Sequence, residues 1–67
     1  MIDIKKLKKE DIGKWVEHTS SSGLKATGKL KSWNNKYIFV VYKCAGNWNK
    51  FQDYTAIATR PEDLIFI

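Results

Sequence analysis

The chain of 67 residues has a single cysteine, a single histidine, a single proline and a single methionine. One cysteine, Cys44, excludes an intramolecular disulfide, whereas small secreted domains usually carry several. No Asn-x-Ser/Thr acceptor occurs either. Cys44 and His18 together fall short of the three or four ligands of a structural zinc site, so no metal is expected to hold the fold. The glycines, Gly13, Gly23, Gly28 and Gly46, are scattered singly, and no Gly-rich phosphate loop is present. No apolar run approaches the roughly 18 residues of a membrane span. The opening Met1-Ile2-Asp3-Ile4-Lys5-Lys6 lacks the apolar stretch of a secretory signal. These absences lead us to expect an intracellular, cytoplasmic protein with no cofactor.

What is present is ordinary globular composition: 43% apolar and 28% charged residues. The length allows one small domain and excludes a large enzyme with a buried cleft on a separate scaffold. Twelve basic residues against 7 acidic ones give a formal charge of +5. Arginine occurs once, as Arg60. Lysine suits diffuse attraction to phosphate, whereas arginine suits bidentate reading of bases or carboxylates.

The first nine residues hold Lys5, Lys6, Lys8 and Lys9, and are read as a basic N-terminal arm, solvated or lying along phosphates. Residues 10–67 form the domain. Lys8 to Gly13 predicts one tight helical turn. Strands are expected over Lys14–Thr19, Lys25–Trp33, Tyr37–Tyr42, Thr55–Thr59 and Leu64–Ile67. The third, with six β-branched or aromatic residues in a row, is the strongest. Ser20–Gly23 is a flexible turn, and Asn34-Asn35 a hairpin signal because Asn tolerates positive φ. Ala45–Lys50 is a polar loop around Trp48, with a short turn at Phe51–Tyr54. Lys9-Glu10-Asp11-Ile12 and Pro61-Glu62-Asp63-Leu64 share a pattern that reads as one device used twice, a helical turn running toward a strand. Five short strands with no long helix predict an all-β fold closing into a small barrel, which removes exposed strand edges.

Four stretches carry a resemblance to a known group: Gly13-Lys14-Trp15-Val16, Gly28-Lys29-Leu30-Lys31-Ser32-Trp33-Asn34, Tyr37 to Tyr42, and Arg60-Pro61-Glu62-Asp63-Leu64. Their layout resembles the SH3-like small barrels, which include Tudor, chromo-barrel and KOW-type domains. The resemblance implies a five-stranded SH3-like barrel with short 3-10 turns, Pro61–Leu64 being the turn before the closing strand. The chain is also similar to short proteins encoded by phages and prophages of bacteria, in which Ser-Trp-Asn, a Phe-Val-Val-Tyr strand and Ala-Thr-Arg-Pro-Glu-Asp-Leu recur. That likeness implies a phage or prophage origin and carries no activity, since SH3-like barrels host many unrelated functions.

Catalysis finds little support in the residues. A nucleophile needs a base beside it, and no spacing brings Cys44 and His18 together. Cys44 is read as a small, partly buried residue and His18 as a strand residue at the surface or rim. Glu10-Asp11 and Glu62-Asp63 are read as turn caps. A non-catalytic binding module is expected.

Binding residues are more plentiful. In the second strand Ala26, Gly28 and Leu30 share the face suited to the interior, and Thr27, Lys29, Lys31 and Trp33 share the other. In the third, Ile38 and Val40 suit the interior, and Tyr37, Phe39 and Val41 would face outward. The opposite assignment is also open, because both faces are apolar. One face then needs a cover: the N-terminal arm, the Asn47–Tyr54 loop, or a partner. In that loop Trp48, Phe51 and Tyr54 are interleaved with amides and with Lys50, an inventory for stacking on bases, for protein hot spots or for a cage around a cation with Asp53 as counter-charge. Phe51 and Trp48 would otherwise simply cap one end of the fold. Two functions follow. In the first, Lys29, Lys31, Lys43, Lys50 and Arg60 hold nucleic acid with low sequence specificity while Trp33, Trp48 and Tyr54 stack or pack on it. In the second, Trp33, Phe39 and Trp48 anchor a protein partner, either a host protein or a second copy in a homodimer.

Overall fold

The computed structural model describes all 67 residues. Five strands form one antiparallel sheet: β1 (Trp15–Thr19), β2 (Lys25–Trp33), β3 (Ile38–Val41), β4 (Ile57–Thr59) and β5 (Leu64–Phe66), in the order β4-β3-β2-β1-β5. The fold is all-β, with 3-10 turns at Ile4–Lys6, Lys9–Asp11, Trp48–Asp53 and Pro61–Asp63. The sheet is not closed. β4 and β5, three residues each, are its two edges, joined by the Pro61–Asp63 turn. Short edges of this kind limit unwanted strand pairing.

Local sequence explains the connections. In the β1–β2 turn the Ser20 hydroxyl accepts the Leu24 N–H at 3.1 Å. In the β2–β3 turn the Asn34 side-chain oxygen accepts the N–H groups of Lys36 at 2.8 Å and Tyr37 at 2.7 Å. Asn34 therefore builds its turn through its side chain; positive φ among non-glycine residues occurs only at Ala45. The two Glu-Asp segments are both 3-10 turns. In the first, the Asp11 carboxylate accepts the Lys8 N–H at 3.0 Å.

The core lies against one face of the sheet. Ile2, Val16, Leu30, Ile38, Val40 and Leu64 form its buried cluster, flanked by Ile4, Leu7, Ile12, Trp33 and Tyr42. The expected interior residues Gly28 and Leu30 are buried, whereas Ala26, beside the β1–β2 turn, is exposed. Trp33 corrects the sequence reading. Strict alternation places it outward with Lys29 and Lys31, yet it packs on the core opposite Ile38. The cause is a register shift between Leu30 and Ser32: Leu30 pairs with Val40, Ser32 with Phe39 and Trp33 with Ile38. The extra residue reverses the alternation beyond it.

The basic N-terminal segment is also more than a solvated arm. Ile2 is 4% exposed, and its N–H donates to the Pro61 carbonyl at 3.0 Å. Its apolar residues cover the core while Lys5, Lys6, Lys8 and Lys9 remain exposed.

On the opposite face Val41, Cys44 and Phe51 form a second buried cluster, with Ile12, Trp48, Tyr54 and Ala56 packed around it. The Trp48–Asp53 turn thus supplies cover for the outward side of β3, and Ile38 and Val40 do point inward.

Candidate nucleic-acid interface

β1 and β2 pair so that Trp15 stands directly opposite Lys29. Both lie on the face away from Val16 and Leu30, since strand side chains alternate. The Trp48–Asp53 turn folds against this face. Its Trp48 ring meets Trp15 with centroids 4.7 Å apart and planes tilted by 60°. The Lys29 ammonium lies 5.0 Å from the Trp15 ring centroid and 5.5 Å from that of Phe51. A cation over two aromatic faces is held by their quadrupoles.

Lys31 fixes the turn. Its ammonium donates to the Tyr54 carbonyl at 2.9 Å in a half-buried setting, while the Tyr54 hydroxyl accepts from the Asn47 side-chain amide at 3.1 Å. Both contacts hold the ends of the segment bearing Trp48. Ahead of it, Ala45 and Gly46 take φ values of 51° and 80° in a tight turn closed by the Asn47 N–H on the Cys44 carbonyl at 2.8 Å. Lys43 and Lys50 are exposed on either side of that turn.

The structure therefore brings Lys29, Lys31, Trp48, Lys50 and Tyr54 to one region, and separates others. Trp33 faces the core. Phe39 is half-buried, paired with Ser32 and Ala58. Arg60 follows β4, where it is bound to Glu62 through Nε at 2.7 Å and a terminal nitrogen at 2.6 Å. Those two line a shallow cleft of about 380 Å³ with Lys36, Tyr37 and Pro61. Comparisons with protein-family models, curated proteins and solved structures give no match.

Trp15 is the residue the sequence reading missed. It is 39% exposed, the only tryptophan among the well-exposed large apolar residues. The signal was in β1 itself: with the apolar Val16 inward, alternation points Trp15 outward with Glu17. On that face Glu17 lies 3.8 Å from the Lys25 ammonium, so its negative charge is offset locally. No group of three or more His, Cys, Asp or Glu side chains is placed to hold a metal ion.

Proposed function

We propose that this protein is a non-catalytic nucleic-acid-binding module of low sequence specificity, built as an SH3-like small barrel. The strand order and the 3-10 turn between β4 and β5 support the barrel reading. The observation that carries the function is the joining of Trp15, Trp48 and Lys29 on one face, with Lys31 and Lys50 beside them. Aromatic faces contribute about 1–3 kcal/mol per stacked base. Ammonium groups contribute attraction to phosphate that weakens as salt rises. A phage or prophage origin and a cytoplasmic setting complete this reading.

A fluorescence-anisotropy titration with mixed-sequence oligonucleotides at several salt concentrations tests it. Lys29→Gln together with Lys50→Gln is expected to weaken binding to all sequences alike and to flatten the salt dependence. An unchanged affinity in that double variant removes this face from the account.

A second reading, a protein-binding module, draws on exposed apolar residues at the sheet edges: Ile57 at 58%, Ile65 at 46% and Phe66 at 42%. Its anchors would be these residues and Trp48, because Trp33 is engaged in the core. Such an interface shows a shallow salt dependence, opposite to the phosphate case.

A further inference from the structure

We propose that the Trp15–Trp48 pair stacks on unpaired bases, so that the ligand class is single-stranded nucleic acid in preference to duplex. The inference rests on the nucleic-acid reading above and adds which form is taken. It begins with how the Trp15 ring is held. The residue sits within β1, its backbone fixed by pairing with Lys29. Its carbonyl accepts the Ile67 N–H at 3.2 Å. Trp48 abuts the ring at 4.7 Å, and the Lys29 ammonium lies over it at 5.0 Å. The indole is thus oriented before any ligand arrives, which reduces the ordering cost of binding.

Orientation alone would suit any apolar ligand; charge selects among them. Over the ring stands Lys29, with Lys31 two residues further along the same strand and Lys50 exposed on the turn that supplies Trp48. The nearest acid on the strand, Glu17, is matched by Lys25. A ligand with flat apolar faces and regularly spaced negative charges fits this surface, and a nucleic-acid strand has both. Geometry then decides between one strand and two. The ring stands on a sheet face, and no recognition helix exists to enter a major groove. Duplex bases are stacked on one another and offer only their edges, whereas unpaired bases can lie on an aromatic side chain presented by a sheet. The tilt of 60° between the indoles means that one base cannot lie flat on both, so Trp15, 39% exposed, is the stacking surface and Trp48 its support, the Lys29 ammonium moving from the ring to a phosphate when a base lies there.

The test titrates the intact protein with four probes at near-physiological salt: a 12-nucleotide deoxythymidine strand, a uridine strand, an abasic strand of the same length and a mixed-sequence duplex. Anisotropy reports affinity and tryptophan fluorescence reports stacking. The thymidine or uridine strand is expected to bind at least about tenfold more tightly than the duplex or the abasic strand, and to quench fluorescence. Trp15→Ala is expected to lose about tenfold in single-strand affinity with an unchanged salt slope, and Trp15→Phe to recover part of it. Circular dichroism and thermal unfolding check that both variants fold. Equal binding of the duplex and abasic probes, unaffected by Trp15→Ala, overturns the stacking inference while the phosphate-binding reading survives. No binding of any probe overturns both.

Discussion

A side chain at Gly28 would collide with the neighbouring strand: a Cβ built there lies 2.5 Å from the Val41 carbonyl oxygen and 2.8 Å from a Val40 methyl. This close approach is required by the pairing of β2 with β3. Gly28→Ala is expected to lower stability by about 1–3 kcal/mol, read as a lower urea midpoint; an unchanged midpoint would show that the strands can part without cost. The tryptophans separate by role. Trp33 packs on the core, so Trp33→Ala is expected to cost about 2–3 kcal/mol. Trp15 is 39% exposed and loses mainly its contact with Trp48, so Trp15→Ala is expected to cost only about 1 kcal/mol. Parallel urea titrations check the order, and a reversed order contradicts the assignment of faces. The composition could not reveal this division. Trp33 lies two residues beyond Lys31, and only the register shift at that point turns it inward.

The elements that hold the site owe their shape to a few polar contacts. The Trp48–Asp53 turn is fastened by the Lys31 ammonium on the Tyr54 carbonyl at 2.9 Å. Lys31→Met keeps the stem and removes the donor. It is expected to cost about 1 kcal/mol and to speed hydrogen exchange at the Tyr54 amide, which donates to the Phe51 carbonyl at 3.1 Å. Unchanged exchange there would mean that the turn is held by its apolar contacts alone. The Lys9–Asp11 turn carries a pH dependence. The Asp11 carboxyl is held below the usual carboxylate range, first by Lys14, whose ammonium lies 2.9 Å away, and next by the Lys8 N–H. Because the folded value is depressed, the stability gained is fully present above the unfolded value of about 4 and is lost as pH falls through the folded value. Asp11→Asn is expected to flatten this part of the acid-unfolding profile; an unaltered profile would assign the acid dependence to other groups. Elements of this kind were largely legible in the sequence. Asn34-Asn35, the repeated Glu-Asp turns and the run from Tyr37 to Tyr42 mark their places by local chemistry. The Ile4–Lys6 turn was not, because its lysines mask Ile4, which with Ile2 and Leu7 packs only once the sheet exists.

For the molecule as a whole, size sets the terms. Only 11 of 67 residues are buried, so neither face of the sheet can be left bare without loss of stability. The N-terminal segment covers the inner face and the Trp48–Asp53 turn covers part of the outer one. Whether an apolar strand face is covered by its own chain depends on contacts distant in sequence. That is why the sequence alone left open which face of β3 was inside and what covered the other. The outer face that remains bears Trp15, Lys29 and Lys50, on a chain of net charge +5. The measurement that tests the account most directly is an amide NMR titration of the labelled protein with mixed-sequence single- and double-stranded oligonucleotides, at low and near-physiological salt. We expect shifts clustered on Trp15, on Lys29 to Lys31 and on Trp48 to Tyr54, persisting at the higher salt. Shifts that vanish with salt, or that touch only Lys5 to Lys9, would contradict a specific nucleic-acid face and reduce the positive charge to general attraction.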